Sequence, residues 1–174
     1  MAMKMSNTNT VEKISSIKTT ATFSKDSKHR YLLKMEWDEK KPKAAIIMTY
    51  PSTADEYFID QTTMLVRNNA VANNFGAVGI LNIFSAMENG LPKSDKFNAA
   101  IILKECSEAD VILLAYGRST NYVEKKEEML QLLSKYAEKL YTIADHQGRF
   151  FSHPLSPSTK KWNIIKLPDE YLLS

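Results

Sequence analysis

The sequence predicts an α/β fold: a three-layer sandwich around a central, mainly parallel four-stranded sheet, with an N-terminal β-hairpin added to it. Short, continuous apolar runs, as a strand buried on both faces requires, recur at Ala44–Met48, Ala77–Ile83, Val111–Tyr116 and Leu140–Ala144. The segments between them carry apolar residues at helical spacing. Strand, helix, strand repeated in this way implies parallel neighbours joined by right-handed crossovers. At 174 residues one domain suffices, and a globule of that size buries roughly 70% of the surface its unfolded chain exposes.

Residues 1–18, rich in Ser, Thr, Asn and Lys, read as a loosely held arm, and 19–174 as the single domain. Thr22-Phe23-Ser24, a polar turn at Lys25–Lys28, and His29–Trp37 with Tyr31, Leu33, Met35 and Trp37 alternating make a hairpin. Pro51 stops the first buried strand. Asp60 can cap a helix running to about Asn74 with Met64, Val66, Ala70 and Val71 inward, and Gly76 ends it. A second helix is expected at about Ser94–Cys106. A third, at Asn121–Leu140, sets Val123, Met129, Leu130, Leu132, Leu133 and Tyr136 against a charged face.

Composition narrows the function classes. A hydrophobic fraction of 44% with 25% charged residues is that of a globule rather than a disordered tail or a membrane protein. No apolar run approaches the roughly 18 residues of a membrane span, and Met1–Ile17 lacks the apolar core of a secretory signal. With Cys106 as the only cysteine, neither an intramolecular disulfide nor a Cys/His zinc cluster can form. The expectation is a cytoplasmic protein with no metal and no cofactor. The five glycines are scattered, which excludes phosphate-loop and dinucleotide fingerprints. A net charge of +3 is compatible with a polyanionic partner.

In open parallel sheets ligands bind beyond the carboxyl ends of the strands, here Thr49–Asp60, Asn82–Glu88, Gly117–Asn121 and Asp145–Ser158. Tyr50-Pro51-Ser52-Thr53-Ala54-Asp55 offers hydroxyls and a carboxylate where backbone amides can face a ligand; its plain structural role is a Ser/Thr or Asx turn. Asn82 can donate to and accept from one planar partner such as a base edge, or close its own strand end. His153-Pro154-Leu155-Ser156-Pro157-Ser158 holds a histidine and phosphate-binding hydroxyls in a stiffened loop, or is ordinary surface. His29 and His146 read as surface residues, and Glu124–Glu128 as a solvated helix face.

Taken together these segments resemble the uracil-DNA glycosylase superfamily in order and position. Its water-activating turn looks like Met48-Thr49-Tyr50-Pro51-Ser52, its uracil-reading strand end like Gly79-Ile80-Leu81-Asn82, and its DNA loop like Ser152–Ser158. Val111–Gly117 is similar to its intervening strand. From Arg30 to His153 the chain more closely resembles domain-of-unknown-function family 1643, through Arg30-Tyr31-Leu32-Leu33, Trp37-Asp38, Pro51–Asp55, Asp60 and His153-Pro154-Leu155. Two positions depart from these patterns. Tyr50 stands where that family has asparagine, and the last loop reads His-Pro-Leu-Ser-Pro-Ser rather than His-Pro-Ser-Pro-Leu-Ser.

The resemblance implies a uracil-DNA glycosylase of base-excision DNA repair, hydrolysing the N-glycosidic bond of a uracil flipped out of DNA. Asn82 would read the uracil edge, His153 would donate to the leaving uracil anion, and Phe58 or Phe84 would stack on the base. Ser52, Ser156 and Ser158 would hold phosphates, and Leu155 resembles the DNA-wedging residue. Tyr50 occupies the water-activating position, but a phenol of pKa about 10 is a poor base, so Asp55 and Asp60 are alternative candidates. Uracil-containing DNA would be the partner, with a DNA-mimicking protein inhibitor as a second. Two other classes stay open: a non-catalytic nucleic-acid or base-binding module that lost its water activator, and a protein whose loops form an interface.

Overall fold

The computed structural model describes residues 10–88, 90–156 and 161–172; the first half of the expected arm, together with Pro157 and Ser158 of the last loop, lies outside them. A hairpin of β1 (Lys18–Phe23) and β2 (Arg30–Glu36) opens the fold. Then follow β3 (Lys43–Met48), α1 (Gln61–Ala72), β4 (Ala77–Asn82), α2 (Asn98–Glu108) and β5 (Val111–Leu114). The chain continues through α3 (Val123–Leu133), β6 (Leu140–Ala144) and β7 (Asn163–Lys166). Asp60 caps α1 as its sequence position suggests, Oδ1 accepting from the Thr63 amide at 2.7 Å.

These strands form one mixed seven-stranded sheet in the order β1-β2-β4-β3-β5-β6-β7. The pairs β3–β4, β3–β5 and β5–β6 are parallel, whereas β2–β4 and β6–β7 are antiparallel. The sheet therefore exceeds the expected four strands plus hairpin by one strand, β7. The hairpin joins it edge-on through β2, and β7 closes the other edge. β1 begins at Lys18, so the strand takes in the last residue assigned to the arm. α2 starts at Asn98 rather than Ser94, because Ser94 Oγ and the Asp95 carboxylate bond the preceding loop and its amides. α3 stops at Leu133, and a 3-10 segment with non-helical Tyr136 leads into β6. There Lys139 Nζ donates to the Ala109 carbonyl at 2.7 Å, which ties this segment to the end of α2.

Alternation along β3 builds the core. Ala44, Ile46 and Met48 pack with Leu33, Val78 and Ile80 and with Val66 and Ala70 of α1. Ala45 and Ile47 face the other way, against Ile102 and Cys106 of α2 and Met129 and Leu133 of α3. Helices thus cover both faces, and each fully buried aliphatic contributes about 1.5–3 kcal/mol. Burial pushes the Cys106 thiol up to about 12, so it stays protonated in this layer. Among the described residues no helix is long and apolar enough to cross a membrane.

From β3 the chain passes through α1 to β4 on one side, then through α2 to β5 on the other side of β3. α1, which leaves β3, and α3, which leaves β5, lie on opposite faces, so these connections diverge and open a crevice at the carboxyl ends of the two strands.

Candidate functional site

At that crevice the strand ends are tied together by polar side chains. Thr49 Oγ1 donates to the Tyr116 carbonyl at 2.9 Å, joining the ends of β3 and β5. Asn82, 1% exposed, donates from Nδ2 to the Tyr50 carbonyl at 2.6 Å. Asn98 donates in turn to the carbonyls of Asn82 and Ile83 at 3.0 and 3.2 Å. The donor end of the Asn82 carboxamide is therefore engaged inside the protein, where it fixes the turn carrying Tyr50.

Above these ends lies an aromatic cluster. The Tyr50 ring stacks on Phe84 with centroids 5.4 Å apart and planes 27° apart, and Tyr122 meets Phe84 edge-on at 5.0 Å. Tyr122 precedes α3 in the left-handed region, at φ 58°, which turns its ring toward the crevice end. Burial, and then the hydrogen bond with Tyr122, pushes the Tyr50 phenol up to about 12. It keeps its proton at neutral pH and cannot take one from water.

The two carboxylates of the loop have structural partners as well. Asp55 Oδ1 accepts from the Tyr57 and Phe58 amides at 2.8 and 2.7 Å, which holds its carboxyl below the usual range. Asp60 is buried enough to raise it, yet Ser52, Thr63 and Arg30 lower it on balance. Phe58 is 58% exposed. Beneath the loop lies Arg30, 1% exposed, whose Nη1 donates to the carbonyls of Ser52 and Ala54 at 3.1 and 2.5 Å. Arg30 Nε and Nη2 are buried with no hydrogen-bond partner among the described residues. Burial lowers its pKa to about 10, against the pull of Asp60 and Asp55, so it is charged at neutral pH. Strand periodicity sets Arg30 on the polar side of the hairpin and carries no signal of this role.

The last loop contributes His153. Its Nδ1 accepts from the Leu155 amide at 3.1 Å, which puts the ring proton on Nε2. Burial lowers its pKa, so at neutral pH it is an uncharged donor. A Cβ added to Gly117, at φ 82°, would lie 3.8 Å from His153 Cβ, so this loop rests on the end of β5. Ser156 donates its amide to the His153 carbonyl at 2.9 Å, and Leu155 is 41% exposed. Ser158 lies outside the described residues.

The structure thus brings Tyr50, Asn82 and Phe84 into one cluster, and Ser52 and Asp60 around Arg30. Asp55 and Phe58 share a turn, as do His153, Leu155 and Ser156. A cavity of about 550 Å³ lies between the start of α2 and α3, and Phe84 is the one candidate residue on its wall. Another, of about 420 Å³, lies beyond the end of β5. Among the described residues no group of His, Cys, Asp or Glu side chains could hold a metal ion.

The family model described as a protein of unknown function (DUF1643) matches residues 30–155, a span that runs from Arg30 to Leu155. No curated protein and no solved structure matches the chain.

Proposed function

The chain belongs to DUF1643, a family of unknown function, and from its site we propose that it is a nucleic-acid or base-binding module with a uracil-DNA glycosylase-like fold. The observation that carries this reading is the half-buried Tyr50 ring at the strand ends, backed by Phe84, which at 3% exposed is itself core and not open to a base. A nucleobase is a flat ring that stacks on such an aromatic ring, and stacking of this kind contributes about 1–3 kcal/mol per base. Support for the fold comes from the four consecutive parallel strands β4-β3-β5-β6. The groups that would activate water are otherwise engaged: Tyr50 is protonated, Asp55 closes a turn and Asp60 caps a helix. That favours binding without hydrolysis.

A glycosylase reading has one observation in its favour. Neutral His153 with its proton on Nε2 is the donor that a departing uracil anion needs. One experiment separates the two. Fluorescence anisotropy with single-stranded uracil-containing oligonucleotides should show binding that weakens with added salt. The same oligonucleotides, held with protein in excess, should yield no abasic sites on an alkaline gel. Abasic sites above background would transfer the conclusion to the glycosylase, with His153→Ala abolishing them. Absence of any oligonucleotide binding at low salt would refute both readings.

A further inference from the structure

The second cavity shares no residue with the Tyr50–Phe84 cluster and has a different chemistry. Its walls are Tyr116, Phe150, Phe151, Tyr171 and one face of α3, from Val123 through Lys126 to Leu130, with Arg118 at the rim. Its volume of about 420 Å³ lies within the range of small-molecule sites. We propose that this cavity binds a nucleoside monophosphate, its flat ring against the aromatic wall and its phosphate at Lys126 and Arg118.

The aromatic side of the cavity is built under strain. Phe151 holds φ 58°, a region that bulky residues rarely adopt. Its amide donates to the buried Thr142 Oγ1 at 2.8 Å, and Thr142 donates in turn to the Leu114 carbonyl at 3.0 Å. These bonds hold the Phe151 ring stacked on Tyr116 at 5.1 Å and 13°, with Phe150 and Tyr171 set edge-on around it. Strained backbone that persists because its surroundings over-determine it is a mark of binding sites. Here the same rings pack on the core layer and line the concavity.

The cationic side is equally placed. Lys126 Nζ sits 5.5 Å from the Tyr116 ring centroid and is anchored to the Ser119 carbonyl at 2.6 Å. Partial burial lowers its pKa, which makes an anion a favourable neighbour. Arg118 Nη1 pairs with Asp145 at 3.0 Å, and Arg149 Nε pairs with the same carboxylate oxygen at 2.7 Å. Two guanidiniums sharing one carboxylate leave that group with net positive charge. A guanidinium carries five N–H donors, and the pair with Asp145 orients Arg118 through one nitrogen. Among the described residues Glu127 is the one carboxylate on the wall, and it lies one helical position from Lys126.

The test is a titration of the full chain with uridine 5′-monophosphate, uridine and inorganic phosphate, followed by calorimetry and by amide chemical shifts. The monophosphate should bind more tightly than either fragment, with shifts at Val123–Leu130 and Phe150-Phe151. Lys126→Met should weaken it about tenfold, the loss of one charge-assisted contact, and Leu130→Trp should abolish it by filling the cavity. Circular dichroism checks folding; should Leu130→Trp not fold, Arg118→Met combined with Lys126→Met decides instead. Absence of binding up to about 10 mM would overturn the proposal. So would affinity unmoved by these variants, or a fragment binding as well as the monophosphate. Because the probe is a free nucleotide, failure here leaves the oligonucleotide result standing, and the reverse also holds.

Discussion

Replacing Arg30 by methionine tests how the Pro51–Asp60 loop is held. The guanidinium makes two good bonds through Nη1, to the carbonyls of Ser52 and Ala54, each worth about 1.5–3 kcal/mol as hydrogen bonds to a charged group. Against them stand Nε and Nη2, buried without partners among the described residues, at a cost of about 1–3 kcal/mol each. The two terms nearly offset each other, so Arg30→Met, which keeps an apolar stem, should lower stability by no more than about 2 kcal/mol. Arg30→Ala also removes buried methylenes at about 0.8 kcal/mol each and leaves a cavity. It should be at least about 2 kcal/mol worse than the methionine variant. Urea denaturation measures both. In either variant the loop loses its anchor, so chymotrypsin should cut faster at Tyr57 and Phe58, which are 89% and 58% exposed. Equal destabilisation by methionine and alanine, or an unchanged cleavage rate, would refute this account of the buried arginine.

Other perturbations read other parts of the molecule. Gly76→Ala would place a Cβ 1.8 Å from the Asp38 carbonyl oxygen, a backbone atom that cannot yield cheaply; urea melts should show a loss of about 3 kcal/mol or more. Asn82→Ala removes the donor to the Tyr50 carbonyl and should cost about 1–3 kcal/mol in thermal or urea unfolding. Asp145 would be raised by burial, yet the Arg149 and Gln147 amides and the Arg149 guanidinium hold it at about 2, below its ordinary 3.8. A depressed carboxylate stabilises the fold above its unfolded value and loses that contribution as pH falls through the folded one. Acid titration by circular dichroism should therefore show stability declining between about pH 4 and 2, and Asp145→Asn should flatten that decline.

The features legible in the sequence are those decided over short distances along the chain. Ala44–Met48 announces itself because a strand covered on both faces tolerates almost nothing polar, and both core layers do meet there. Asp60 is readable as a cap because its partner is the Thr63 amide, three residues on. Gly117 and Pro51 mark strand ends because local backbone geometry demands such residues. β7 carries no such signal, being a four-residue edge strand, Asn163–Lys166, exposed at both ends. The early end of α3 was hidden for another reason: its apolar spacing continues to Tyr136, while Lys139 is drawn to a carbonyl thirty residues away.

The site divides along the same line. Hydrophobic runs and chain breakers set where strands stop, and they were enough to place Asn82 at the end of one buried strand and Tyr50 just past another, whereas His153 lies in the loop between β6 and β7. Tertiary structure alone decided what those residues face. The Asn82 amide turns to a carbonyl thirty-two residues back, Tyr50 lies on Phe84, and Arg30 disappears beneath a loop more than twenty residues away. Such partners depend on which loops fold over which strand ends, and that follows from strand order and crossover rather than from any neighbouring residue.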